Sequence, residues 1–171
     1  MDHQTATTAA MAFGNILRNP YVVVSLGGHV DLTDQEEEES SGQKQKRYTA
    51  KTKVIRRSTN PVWDEEFRFD VSNDTLLQDE PLIFKVCDSD ALSTDESIGL
   101  VYVDLNPVLA QTAFTDDHDD DEKTDGGQTA ASLGGWLPIY DTLGGMRGDL
   151  EVYVKLNFIG DVNPFRDSSG K

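Results

Sequence analysis

The chain of 171 residues has a single cysteine, Cys87, and only three histidines. One thiol excludes an internal disulfide and fits a reducing compartment. His3, His29 and His118 sit in no context that would pair a nucleophile with a base, so Cys87 reads as a small apolar residue at a strand end. No apolar run approaches the ~20 residues that a membrane-spanning helix requires. The opening Met1-Asp2-His3-Gln4 lacks the basic start and apolar core of a signal peptide. The expected setting is cytoplasmic.

Positive charge is also scarce. Fifteen Lys and Arg against 31 Asp and Glu leave a formal charge of −16, which argues on average against nucleic acid or acidic lipid as a partner. The average misleads, because the charge is bunched. Asp31, Asp34 and the run Glu36 to Glu39 are acidic, as is Asp116 to Glu122 apart from His118. Lys44, Lys46, Arg47, Lys51, Lys53, Arg56 and Arg57 hold 7 of the 15 basic residues in one short stretch. The second acidic run reads as solvated, since consecutive like charges repel rather than converge on a metal.

What is present is a period of two. At 37% hydrophobic the chain is large enough for one domain with a real core. Short β-rich runs at 21–26, 48–55, 65–71, 81–87, 98–105, 136–140 and 148–158, separated by turn residues, predict an all-β, antiparallel sandwich of seven strands. The run 81–87 is apolar enough to suggest burial on both sides. Residues 106–111 suggest one helical turn. Trp63, Phe67, Phe69 and Trp136 read as core aromatics, not as a platform for stacking bases. The polar acidic stretches 31–45 and 115–132 read as disordered inserts. The first eighteen residues read as poor strand material.

The most informative segment is Val86 to Gly99. An apolar strand ends in Asp88 and Asp90, with Asp95 and Glu96 following. Aspartates two apart on an extended chain point the same way, and oxygen-only ligands on one loop suit a hard cation such as Ca²⁺.

Four landmarks in order, Asn19-Pro20-Tyr21-Val22, Lys51-Thr52-Lys53, Thr59-Asn60-Pro61-Val62-Trp63 with Phe67-Arg68-Phe69, and Val86 to Gly99, resemble a C2 domain. The stretches Leu77 to Leu82, Gly135 to Thr142 and Gly148 to Ser169 are similar to the N-terminal C2 module of the C2 domain-containing protein 5 family. The likeness runs over about 19–169 outside the two inserts. It sets apart 1–18 as an N-terminal segment, 19–160 as the domain and 161–171 as a tail.

The resemblance implies a non-catalytic β-sandwich that docks on phospholipid in vesicle traffic to the plasma membrane. It implies Ca²⁺ held by Asp88, Asp90 and Glu96, with Asp95 beside Glu96 and Asn19 as a neutral ligand from the first loop. With the other first-loop acid missing, one weak site is expected. It also implies a lysine-rich face for phosphoinositide headgroups, matched by Tyr21, Lys51 and Lys53, with Arg47, four residues before Lys51, on the alternating face that Lys51 and Lys53 share. Anionic membranes containing phosphatidylserine or phosphoinositides are the expected partners, and the acidic inserts could mask the lysines. The alternative is a Ca²⁺-independent protein-interaction scaffold with a degenerate ion site. The family's first strand looks missing, a defect that would open the core.

Overall fold

Strands that alternate buried and exposed side chains organise the molecule around one apolar interior. The computed structural model describes residues 4–12, 17–27, 48–72, 74–111 and 129–158. In chain order the elements are β1 (Gln4–Ala12), β2 (Pro20–Leu26), β3 (Tyr48–Lys51), α1 (Asp74–Asp79), β4 (Leu82–Asp88), β5 (Glu96–Val103), α2 (Asn106–Gln111), β6 (Thr129–Asp141) and β7 (Gly145–Phe158). Arg47, the insert 31–45, residues 115–128 and the tail 161–171 lie outside the described residues, while 129–132 open β6.

The strands follow the order β1-β7-β6-β5-β4-β2-β3, every neighbouring pair antiparallel. Between β5 and β6 the ladder is a single position, Leu100 opposite Tyr140. That narrow joint divides the order into two layers, β1-β7-β6 and β5-β4-β2-β3. Phe84 and Val86 from one layer and Leu150, Val152 and Val154 from the other belong to one buried cluster with Trp63. This is an all-β sandwich.

Gly99 marks the joint. A Cβ there would lie 2.7 Å from Ile139 Cγ2 and 2.7 Å from the Tyr140 carbonyl oxygen. Only a residue without a side chain lets the two layers approach so closely.

Three expectations are corrected. Residues 4–12 are not idle but form β1, paired along its whole length with β7 from Gln4 opposite Asn157 to Ala12 opposite Asp149. The sandwich therefore has its first strand, and the opened core does not arise. The sequence QTATTAAMA carries no large β-former; its pairing follows from the long, regular edge that β7 offers, since strand preference depends strongly on context.

The run 65–71 keeps the anticipated faces, with Phe69 and Val71 buried and Arg68 and Asp70 exposed, yet no ladder strand is assigned over 65–70. Alternation reports which side chains face inward, not whether a neighbouring backbone stands in register. Asp64 in the left-handed region (φ 48°) turns the chain just before this run. Finally, β4 is buried on both sides only at its end: Leu82, Phe84 and Val86 face the main core, Cys87 is buried in a second cluster with Tyr21 and Val23, and Ile83 and Lys85 are half-buried.

Candidate functional site

Strand pairing gathers several segments at one end of the sandwich. Pro20 lies opposite Asp88 and Asp88 opposite Glu96, so residues 17–19 and the loop 89–95 share that end. An isolated bridge from Arg18 to Ser58 brings in the turn at 56–60. Because β5 and β6 are antiparallel with Leu100 opposite Tyr140, the turn at 142–144 is there as well. Leu92 and Leu143, at two of these turns, are 97% and 98% exposed.

All five sequence-derived metal candidates are at this end, but each carboxylate is already engaged. Asp88 Oδ1 accepts the Asn19 amide N–H at 2.7 Å, and Oδ2 accepts from the Arg18 guanidinium at 3.4 Å. The same Arg18 nitrogen lies 3.8 Å from Glu96. Asp90 folds onto its own loop, accepting from the Leu92 amide at 3.0 Å and the Ser93 hydroxyl at 2.7 Å. Asp95 accepts the Asp90 amide at 3.1 Å and the Tyr21 hydroxyl at 2.6 Å. The Asn19 side chain donates to the Ser89 carbonyl at 3.0 Å, and its own oxygen accepts the Arg57 amide at 3.1 Å. Arg57 adopts a left-handed backbone (φ 53°), uncommon for a non-glycine residue and stabilised here by that bond.

These contacts set the protonation behaviour. The Tyr21 hydroxyl, then the Asp90 amide, hold the Asp95 carboxyl below its usual range. The Leu92 amide and Ser93 do the same for Asp90. Burial, followed by the Asp95 bond, raises the Tyr21 phenol far above its ordinary value. Burial also pushes up the Cys87 thiol, which suits the small apolar role expected of it.

Among the described residues no group of three or more His, Cys, Asp or Glu side chains is placed to hold a metal ion. As placed, the oxygens of Asp88, Asp90 and Asp95 face protein donors and do not fit an open Ca²⁺ cage.

The basic face differs from its sequence reading in detail. Tyr21 is 1% exposed, with its hydroxyl committed to Asp95 and the Lys51 ammonium 3.8 Å above its ring centroid. A cation over an aromatic face is attracted by the ring quadrupole, so Tyr21 positions Lys51 rather than presenting itself. Lys53 turns its ammonium to the Trp63 carbonyl at 3.0 Å and to Glu65 at 3.8 Å. Lys85 enters unforeseen. Val23 pairs with Lys51 on one side and Lys85 on the other, which places both lysines in one row on one face. A lone lysine in the otherwise apolar run LIFKVC is the signal that could have shown it. Arg18 was also missed, and its signal is its position directly before Asn19.

Trp136 is a further correction. It is 53% exposed, because β6 turns Ile139 inward and Trp136 outward. Tyr140 and Tyr153 are likewise 57% and 48% exposed, giving the outer side of β6-β7 an aromatic character, while Tyr102, 60% exposed, stands opposite Ile83 on the other layer. Tyr153 lies opposite Gly134, where an added Cβ would meet its ring at 2.8 Å. No helix among the described residues is long and apolar enough to cross a membrane.

C2 domain-containing protein 5 of Xenopus tropicalis and of Homo sapiens is 41% identical over 140 residues, 81% of this chain and 12% of the relative. The chain thus spans a small part of the relatives it matches. Among solved structures, a C2 domain of a plant extended synaptotagmin 1 superposes with a TM-score of 0.51 at 22% identity, covering 90% of this chain and 92% of that one. The paired C2 domains of extended synaptotagmin 2 give 0.53 at 15%, covering 93% and 42%. At such identities the likeness concerns the fold. The family model described as C2 domain matches residues 5–120, beginning inside β1 and taking in more than half of the sequence; this chain belongs to the C2 domain family.

Proposed function

We propose that this C2 domain is a non-catalytic, peripheral membrane-binding module that engages anionic phospholipid, phosphoinositides in particular, through the face carrying Lys51 and Lys85. The observation that carries this reading is the placement of Lys51: its ammonium is held over Tyr21 on an edge strand, one rung from Lys85 across Val23. The Lys51 ammonium, exposed on an edge strand, can meet the charge of a phosphorylated headgroup. Lys53, tied to Glu65 and Trp63, contributes less. Ca²⁺ has no step in this reading. Its place in vesicle traffic to the plasma membrane, as the attachment module of a longer protein, is part of the same proposal and rests on the family resemblance.

Co-sedimentation with vesicles of phosphatidylcholine, with and without phosphatidylserine or a phosphoinositide, tests it in chelator. Each basic residue near an anionic surface contributes about 1 kcal/mol. Lys51→Gln should therefore lower the partition coefficient about fivefold, and Lys53→Gln by less. Equal pelleting with neutral and anionic vesicles would sink the proposal.

A second reading, a protein-interaction scaffold, is favoured by the exposed Trp136, Tyr140 and Tyr153 on the opposite layer. Aromatic residues are enriched where protein surfaces meet. Failure to pellet with any vesicle would favour it.

A further inference from the structure

We infer that Arg18 is the resident cation of the loop end, and that the acidic residues gathered there form a closed lobe that takes up no divalent ion. Four carboxylates, those of Asp88, Asp90, Asp95 and Glu96, converge on one end of a sandwich. Such a cluster needs either a bound cation or internal compensation, because like charges held together raise the energy of the folded state.

The structure supplies the compensation residue by residue. Each carboxylate oxygen of Asp88, Asp90 and Asp95 accepts a hydrogen bond from a protein donor. Asp88 and Glu96, which face each other across β4 and β5, both lie within 4 Å of one Arg18 nitrogen, at 3.4 and 3.8 Å. That guanidinium therefore stands where a shared ion would have to sit between them. The Arg18 side chain is 25% exposed and that of Asp88 23%, so this pair is better shielded than an ordinary surface ion pair.

Two features make the arrangement permanent. A guanidinium presents several N–H donors in a rigid fork and has no acceptor, so Arg18 meets Asp88 and Glu96 together. Its backbone is also fixed: Arg18 and Ser58 form a bridge, the Ser58 amide donating to the Arg18 carbonyl at 2.9 Å. The neighbouring Asn19 is held at both ends, its amide donating to Asp88 and its carbonyl accepting the Ser89 amide at 2.9 Å. The Asn19 side-chain oxygen, the first-loop ligand among the described residues, is likewise occupied by the Arg57 amide. A divalent cation would have to evict Arg18 and break these bonds in return for ligands already satisfied.

The test uses the whole chain without lipid, so its outcome is separate from that of vesicle binding. Calorimetric titration of the wild type with Ca²⁺ should show no saturable heat up to about 1 mM, the weak end of protein Ca²⁺ sites. Saturable heat below that concentration would overturn the inference. Arg18→Gln should lower the melting temperature in chelator, since it leaves Asp88 and Glu96 facing each other without compensation. Unchanged melting would overturn it too. Should Arg18→Gln fail to fold, the double variant Arg18→Gln/Asp88→Asn, which removes the stranded charge together with its partner, should restore a cooperative melt. A double variant no better than the single one would show that Arg18 acts otherwise.

Discussion

The Tyr21 hydroxyl donates to Asp95 Oδ2 at 2.6 Å, joining a residue buried in β2 to the loop between β4 and β5. The bond spans 74 residues of sequence and gives that loop an anchor in the sandwich itself. It depends on protonation at both ends, in opposite senses.

The pH dependence follows from those senses. Asp95 has a depressed folded pKa, so its contribution is present above the unfolded value near 4 and is lost as pH falls through the lower folded value. Tyr21 has a raised one, so its contribution is whole below the unfolded value near 10 and declines as pH rises beyond it. Stability measured by urea denaturation should fall on both flanks. Tyr21→Phe should cost about 1 kcal/mol at neutral pH and flatten both declines. Identical profiles for the two proteins would refute the role given to this bond.

Gly99→Ala should cost about 1–3 kcal/mol, because the methyl would press on Ile139 and on the Tyr140 carbonyl where β5 and β6 meet. Chemical denaturation would show a lower midpoint. Gly135→Ala is a useful comparison: its Cβ would meet nothing within 4 Å, so any cost there reflects its backbone (φ 150°) rather than crowding.

Much of this was legible in the sequence. Short β-rich or apolar runs located β2, β4 and β5, alternation located β7, and the acidic segment after Val86 marks the end where residues 17–19 and the loop 89–95 meet. What could not be read was partnership. Asp88 and Asp90 look alike in sequence, yet one faces Arg18 and the other curls onto Ser93, a difference set by how the loop closes. Tyr21 was placed among headgroup contacts, whereas strand pairing buries it beneath Lys51. β1 was invisible because its residues carry little preference of their own and its order comes from β7.

The two tryptophans should report separately. Trp63 is 1% exposed and Trp136 53%, so acrylamide should quench one emission component readily and the other hardly at all. Trp136→Phe should leave a blue-shifted, protected spectrum, while a uniformly quenched wild type would contradict the outward placement.

Leu92 and Leu143 offer a test of orientation on the bilayer. Both are almost fully exposed at the same end, so Leu92→Ser and Leu143→Ser should leave stability within about 0.5 kcal/mol of wild type. If that end enters the interface, each should weaken vesicle partition by about fivefold, the effect of removing about 1 kcal/mol of apolar burial. Unaltered partition, with the Lys51 effect intact, would mean that the module lies on its lysine face instead.

The pairing of β1 with β7 bears on how this domain can be handled. A version trimmed to begin at Asn19 would strip nine residues of partner from β7 and leave a long row of amides and carbonyls open to any strand that came by. Such a shortened product would be prone to self-association through that bare border, and clumping in its preparations would be a symptom of the cut rather than a property of the native molecule.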